Sequence, residues 1–153
     1  MLDRVEEFRC VTQRFFRRFG TLAAESTPCG KPLSMAHAHA LMILRQRGEM
    51  TQRSLGSELC IDKSNVARLC AKMAQANHVK NRTNTQDGRS RLVSLTFSGA
   101  RLAEEVDRAS RARFTALLKA ISAAHRNEVI AALQQLVDAL EAPTVTSFGQ
   151  SAC

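Results

Sequence analysis

Between Met50 and Leu95 the sequence places eight basic residues against three acidic ones, a local excess of five in a chain whose formal net charge is +8. The cations are Arg53, Lys63, Arg68, Lys72, Lys80, Arg82, Arg89 and Arg91, and the acids are Glu58, Asp62 and Asp87. A scattered excess of this kind is ordinary solvated surface, but the spacing sets part of it apart. On a helix opened by Asp62, Ser64, Arg68, Ala71, Lys72 and Gln75 share one side, and Val66, Leu69, Cys70 and Met73 share the other. The polar side is short, hydrogen-bonding and cationic, which suits the floor of a duplex major groove. Arg68 can donate two hydrogen bonds to guanine and Asn65 can pair with adenine in the same way, while Lys63 and Lys72 neutralise phosphates. Ser64 and Asn65 occupy the first turn, nearest the bases when a helix enters N-terminus first. Arg89, beside the turn formers Asp87-Gly88, suits a narrow A·T-rich minor groove. Asp87 has the wrong sign for DNA and is expected to position Arg89 or pair with a neighbouring arginine. Thr51, Arg53 and Arg91 complete the candidate set of nucleic-acid contacts.

These residues need elements to hold them. Val5, Phe8, Thr12, Phe15, Phe19 and Leu22 repeat at helical spacing and predict a helix over 2–25, with Arg14, Arg17 and Arg18 on its opposite face. Pro28, Gly30 and Pro32 interrupt the chain before Ser34 caps a second helix that ends at Gly48, with Leu41 and Leu44 facing the core. Thr51 caps a short third helix and Asp62 a fourth, separated by a brief turn at Ile61, the outline of a helix-turn-helix. From Val79 the period becomes alternating, predicting a hairpin whose strands flank the polar tip around Asp87-Gly88. Thr96 caps a long helix to about Ser122 carrying Leu102, Val106, Phe114, Leu117 and Ile121. A last helix repeats Val129, Leu133, Leu136 and Leu140 at heptad spacing. The fold class expected is mainly α with a small β-hairpin wing: a winged helix-turn-helix with a helical dimerisation region. The expected organisation is a dimerisation helix and linker over 1–33, a DNA-binding region over 34–95, C-terminal dimerisation helices over 96–142, and a tail over 143–153. The apolar first and last helices bury their stripes most easily against each other and a second copy, so a two-fold homodimer is expected.

Composition narrows the function classes. With 153 residues the chain fits one domain, and 44% hydrophobic with 24% charged residues is the make-up of a folded globular protein. Seven Phe and no Trp or Tyr leave little for single-strand stacking platforms. No apolar run is long enough to span a bilayer, so neither a membrane partner nor a signal peptide is expected, and the expected location is the cytoplasm. Five cysteines without a CxxC pair argue against a disulfide framework and a zinc ribbon. There is no Gly-rich phosphate loop, placed nucleophile or metalloprotease helix, so no enzyme, cofactor or metal is expected.

The stretch TQRSLGSELCIDKSNVARLCAKMAQANHVKNRTNTQDGRSRLVSLTFSGARL resembles the core of the MarR family of bacterial transcriptional regulators. The most specific part is the wing signature Asp87, Arg89, Ser90, Leu95, Thr96 and Gly99, following a helix that begins Asp62-Lys63-Ser64. Departures are Met73-Ala74 and Asn77-His78-Val79, where the family usually has Leu-Glu and Gly-Leu. The resemblance implies a winged-helix homodimer that represses, or less often activates, genes through an inverted repeat. It implies base contacts by Ser64, Asn65 and Arg68, with Arg89 at the wing tip.

The resemblance also implies a trigger: a small molecule, thiol oxidation or metal exchange. Cys10 is the redox candidate, because it stands off the Phe8–Phe15 stripe and one turn from Arg14, whose charge would favour the thiolate; Cys29 is its candidate partner. Cys70 falls on the apolar stripe of its helix and is expected to be inert core. For a metal, Glu25, Cys29, His37 and His39 invite comparison. However, His37 and His39 point away from each other on a helix and the fifth helix offers no histidine, so a capping or pocket role is the better reading. A small-molecule effector remains by elimination, with Phe16, His37 and Leu41 as candidate pocket residues. The alternatives kept open are a winged-helix protein-interaction module without specific DNA binding and a metal-responsive regulator.

Overall fold

The computed structural model describes residues 2–143; residues 144–153 of the expected 143–153 tail, with Cys153, lie outside the described residues. The chain runs through α1 (Leu2–Phe19), α2 (Met35–Arg47), β1 (Met50–Thr51), α3 (Gln52–Leu59), α4 (Lys63–Gln75), β2 (Val79–Thr83), β3 (Arg91–Leu95) and α5 (Phe97–Ala120). A short 3-10 turn, Ala123–His125, leads into α6 (Arg126–Glu141).

All four helix starts expected from capping residues are present. Ser34 Oγ accepts from His37 N at 3.3 Å, Thr51 Oγ1 from Ser54 N at 3.0 Å, Asp62 Oδ1 from Asn65 N at 2.8 Å and Thr96 Oγ1 from Gly99 N at 2.9 Å. Each bond satisfies one amide that has no partner inside its helix.

Helix α1 is shorter than its apolar stripe predicts. Gly20 takes φ +92°, and the amides of Gly20 and Thr21 both turn back to Phe16 O, so the helix stops at Phe19 and leaves Leu22 exposed beyond it. The wing is also more than a hairpin. Met50 and Thr51 pair with Val93 and Leu92, adding a third strand in the order β1-β3-β2. Two residues carry no readable period, which is why this strand escaped the sequence.

The departure at Asn77 is resolved by its backbone. Asn77 adopts φ +59°, and its amide and that of His78 return to Ala74 O and Met73 O at 2.9 Å each. This closes α4 as a left-handed residue does, and asparagine tolerates that region better than most other non-glycine residues.

The core gathers Leu41 and Leu44 of α2, Leu55 of α3, Cys70 and Met73 of α4, Val93 of β3 and Val106 of α5. Helix α5 crosses the end of α4 so closely that a Cβ on Gly99 would stand 1.8 Å from His78 O. Only glycine fits there.

The apolar stripes of α1 and α6 are not buried within the chain, contrary to half of the expectation. Val5, Phe8 and Phe15 on α1, Phe114 and Leu117 on α5, and Leu133, Leu136 and Leu140 on α6 are all exposed. Helix α1 meets α5 at its C-terminal end, where Phe19 lies 5.7 Å from Phe114 between ring centres and Phe19 O accepts from Arg113 Nη2 at 2.9 Å.

Candidate nucleic-acid interface

The α4 helix divides as its sequence requires. Val66, Leu69, Cys70 and Met73 are buried, while Lys63, Ser64, Asn65, Arg68, Ala71, Lys72 and Gln75 lie on the other side, all of them exposed. Burial pushes the Cys70 thiol up to about 11, which keeps it an unreactive filler, as its position on the stripe predicts.

At the exposed N-terminal turn three side chains are joined. Asn65 Nδ2 donates to Asp62 Oδ2 at 2.6 Å, and Asn65 Oδ1 accepts from Arg68 Nη2. The Asn65 amides, backbone first, and the nearby Arg68 charge hold the Asp62 carboxyl below its ordinary value. Asp62 therefore does more than cap: in the free chain it sets the orientation of the two candidate base readers, a role that spacing alone did not reveal.

The wing tip is built on Asp87. Its Oδ1 accepts from Arg89 N at 3.1 Å, and its carbonyl accepts from Ser90 N and Ser90 Oγ at 3.0 and 3.2 Å. Of the two roles expected for Asp87, this is the positioning one, acting through the backbone and leaving the Arg89 side chain exposed. The wing is tied to the helix-turn-helix by Asn81, which the sequence pattern did not single out. Asn81 Oδ1 accepts from Gln52 Nε2 at 3.3 Å, and Asn81 Nδ2 donates to Cys70 O at 3.4 Å.

The cations sort into two groups. Arg82 is held by both oxygens of Glu49, Arg47 pairs with Glu58 and Arg45 with Asp107. Among the described residues, no carboxylate forms an ion pair with Arg53, Lys63, Arg68, Lys72, Lys80, Arg89 or Arg91. Arg82, part of the local basic excess, is structural; the charge left free lies on α3, α4 and the wing. Thr51, placed among the candidate contacts, is half-buried and engaged as the α3 cap, with its hydroxyl 2.8 Å from Ser54 Oγ.

The expected pocket residues are corrected. Leu41 is fully buried in the core, His37 is bonded to His78, and Phe16 sits on the exposed side of α1 beside Phe15. A cavity of about 240 Å³ opens instead on the neighbouring face of α2, lined by Phe19, Pro28, Cys29, His39, Met42 and Arg113 among others. His37 and Leu41 lie one turn apart on the core side, so the cavity takes His39 and Met42. Arg113 Nε is buried there without a partner among the described residues, and its guanidinium lies 5.2 Å from the Phe19 ring centre.

The thiolate expected at Cys10 is also corrected. Cys10 Sγ donates to Glu6 Oε1 at 3.3 Å, and this bond raises the thiol above its ordinary value against the smaller opposing pull of Arg9 and Arg17. Cys29 contacts Thr27 Oγ1 at 3.0 Å, and both cysteines are free thiols. Among the described residues no helix is long and apolar enough to cross a membrane, and no three potential ligands gather for a metal.

Residues 33–90 match the MarR family. No curated protein matches the sequence. Among solved structures, a probable transcriptional regulator from Pseudomonas aeruginosa is 22% identical, with 89% of this chain and 99% of that one covered at a TM-score of 0.69. The PcaV transcriptional regulator of Streptomyces coelicolor, solved with its natural ligand, is 20% identical over 86% and 89% of the two chains at 0.66. MepR of S. aureus, solved with DNA, is 19% identical over 88% and 96% at 0.66. The match over residues 33–90 takes in α2, the helix-turn-helix and the first strand and tip of the wing, and the fold around it is the winged-helix fold of these solved regulators.

Proposed function

We propose that this chain is a homodimeric transcriptional repressor that binds a pseudo-palindromic duplex and releases it when a small apolar acid enters the α2–α5 cavity. The observation that carries the reading is the cluster of unpaired cations on α3, α4 and the wing beside an exposed hydrogen-bonding turn of α4. Lys63, Lys72, Arg53 and Arg91 supply phosphate neutralisation, Ser64, Asn65 and Arg68 supply base contacts, and Arg89 supplies the minor-groove probe. Binding to bases requires Asn65 and Arg68 to exchange their mutual hydrogen bond for base edges.

The exposed apolar faces of α1, α6 and the end of α5 support a second copy as their cover. Two copies present two reading helices to half-sites about one helical turn apart. The effector class follows from the cavity: aromatic and aliphatic walls with an arginine whose Nε lacks a partner suit a planar carboxylate. Oxidation of Cys10 is the less supported trigger, because Glu6 favours the thiol over the thiolate.

The test is fluorescence anisotropy of the purified protein on a duplex selected from a random pool, against a scrambled duplex, over a range of salt. Preference for the selected duplex with steep weakening by salt is the expected result. Equal, salt-insensitive signals on both duplexes would overturn the reading in favour of a protein-interaction module.

A further inference from the structure

His37 and His78 belong to elements far apart in sequence, yet His37 Nε2 and His78 Nδ1 stand 3.0 Å apart, with ring centres at 5.1 Å in an edge-on arrangement. His37 is buried in the first turn of α2, whose neighbouring face lines the cavity. His78 sits where α4 ends and the wing begins. Its amide donates to Met73 O at 2.9 Å, and its carbonyl accepts from Thr96 N at 3.0 Å, under the close approach of Gly99. One side-chain hydrogen bond therefore ties the helix bordering the cavity to the junction of recognition helix, wing and α5.

We propose that the His37–His78 hydrogen bond is a proton-sensitive latch that positions the recognition helix and wing for DNA and opens on acidification. Two neutral rings satisfy each other, one donating its N–H and the other accepting. A single added proton leaves a hydrogen bond possible but places a positive charge on a buried ring. A second places two N–H groups face to face with no lone pair between them. Lys72, on α4, adds a further positive charge; His78 and Lys72 are the charged or titratable groups whose fields act on His37, and both disfavour its cation.

The sign follows from linkage. Burial first, then His78 and Lys72, holds His37 down to about 4 while the latch is closed. An opened, hydrated His37 returns toward the ordinary value of about 6.5. The open state thus binds the proton more tightly, so the latch is fully favoured above about pH 6.5 and loses ground as pH falls from there toward 4. Between pH 7.5 and 5.5 the open-to-closed ratio rises about tenfold.

The inference rests on the DNA-binding reading, and the experiment separates the two. Affinity for the selected duplex is measured from pH 7.5 to 5.5 at constant salt for the wild type and for His37→Gln, whose amide N–H can bond His78 Nδ1 without acquiring charge. Ring-nitrogen NMR of the DNA-free wild type is titrated alongside. The expected result is at least a fivefold loss of wild-type affinity relative to His37→Gln at pH 5.5, with the His37 ring gaining its proton as its hydrogen bond to His78 is lost. Parallel pH profiles would overturn the latch, as would a His37 ring that gains its proton with the hydrogen bond to His78 intact, which is read on the wild type even if the variant does not fold. A duplex that neither protein binds at pH 7.5 would overturn the DNA reading instead, and the ring titration would then decide whether the latch exists.

Discussion

Arg68 and Lys72 lie one turn apart on the same face of α4, yet they predict different defects. Arg68→Ala is expected to lower affinity for the preferred duplex by about 1–3 kcal/mol and to relax base choice at one position, measured by competition against single-base variants. Lys72→Ala is expected to weaken all sequences alike and to make the dependence of log K on log salt shallower by about one, the share of a single neutralised phosphate. Asp62 acts on both the helix and its readers. Its carboxyl is held below the ordinary value, so its stabilising contribution is present above about pH 4 and is lost as pH falls through the lowered value. Asp62→Ala is expected to flatten the acid limb of thermal stability while also altering base preference, because Asn65 is left without the carboxylate that orients it. An unchanged base preference would assign Asp62 to capping alone.

At the scale of elements, the junction of α4, wing and α5 is held by few atoms. Thr96 caps α5 and also donates to Asn77 O at 2.6 Å, so Thr96→Ala is expected to cost about 1–2 kcal/mol in denaturant unfolding. Gly99→Ala forces a Cβ into the His78 carbonyl and is expected to cost roughly 3 kcal/mol, with no flexible side chain able to give way. Both changes leave the exposed face of α4 intact, so any defect in DNA binding would report on wing placement. The four caps and the two-faced pattern of α4 were legible in the sequence because they depend on neighbours within one turn. The third strand and the Asn81 bridge were not, because their partners lie in other elements: Thr51 pairs with the distant Leu92, and Asn81 bonds Gln52 and Cys70.

For the molecule as a whole, the unburied stripes of α1 and α6 predict association. Leu136→Glu, on the exposed heptad of α6, is expected to convert dimers to monomers in sedimentation velocity and to weaken duplex binding by more than about tenfold, since a lone reading head cannot use the second half-site. A dimer that survives the substitution would move the interface elsewhere. The cavity makes a separate prediction. Benzoate-class acids are expected to raise the melting temperature of the wild type and not that of Arg113→Leu, in proportion to RT ln(1 + [L]/Kd).

The order of the helices and the hairpin, the four capped helix starts, the exposed face of α4 and the excess of positive charge came from the sequence alone, because each rests on local spacing or on a simple count. Tertiary structure decided what depends on distance in space. It separated free cations from those held by Glu49, Glu58 and Asp107, and it moved the cavity from His37 and Leu41 to His39, Met42 and Arg113. At Cys10 the choice was local: Glu6 and Arg14 each lie one turn away on α1, and the side-chain conformations bring Glu6 to the sulfur. Tertiary structure also joined His37 to His78 across 41 positions. A charge or a ring is identified by its residue type, but its effect falls off within a few ångströms, so the fold determines which partner it meets.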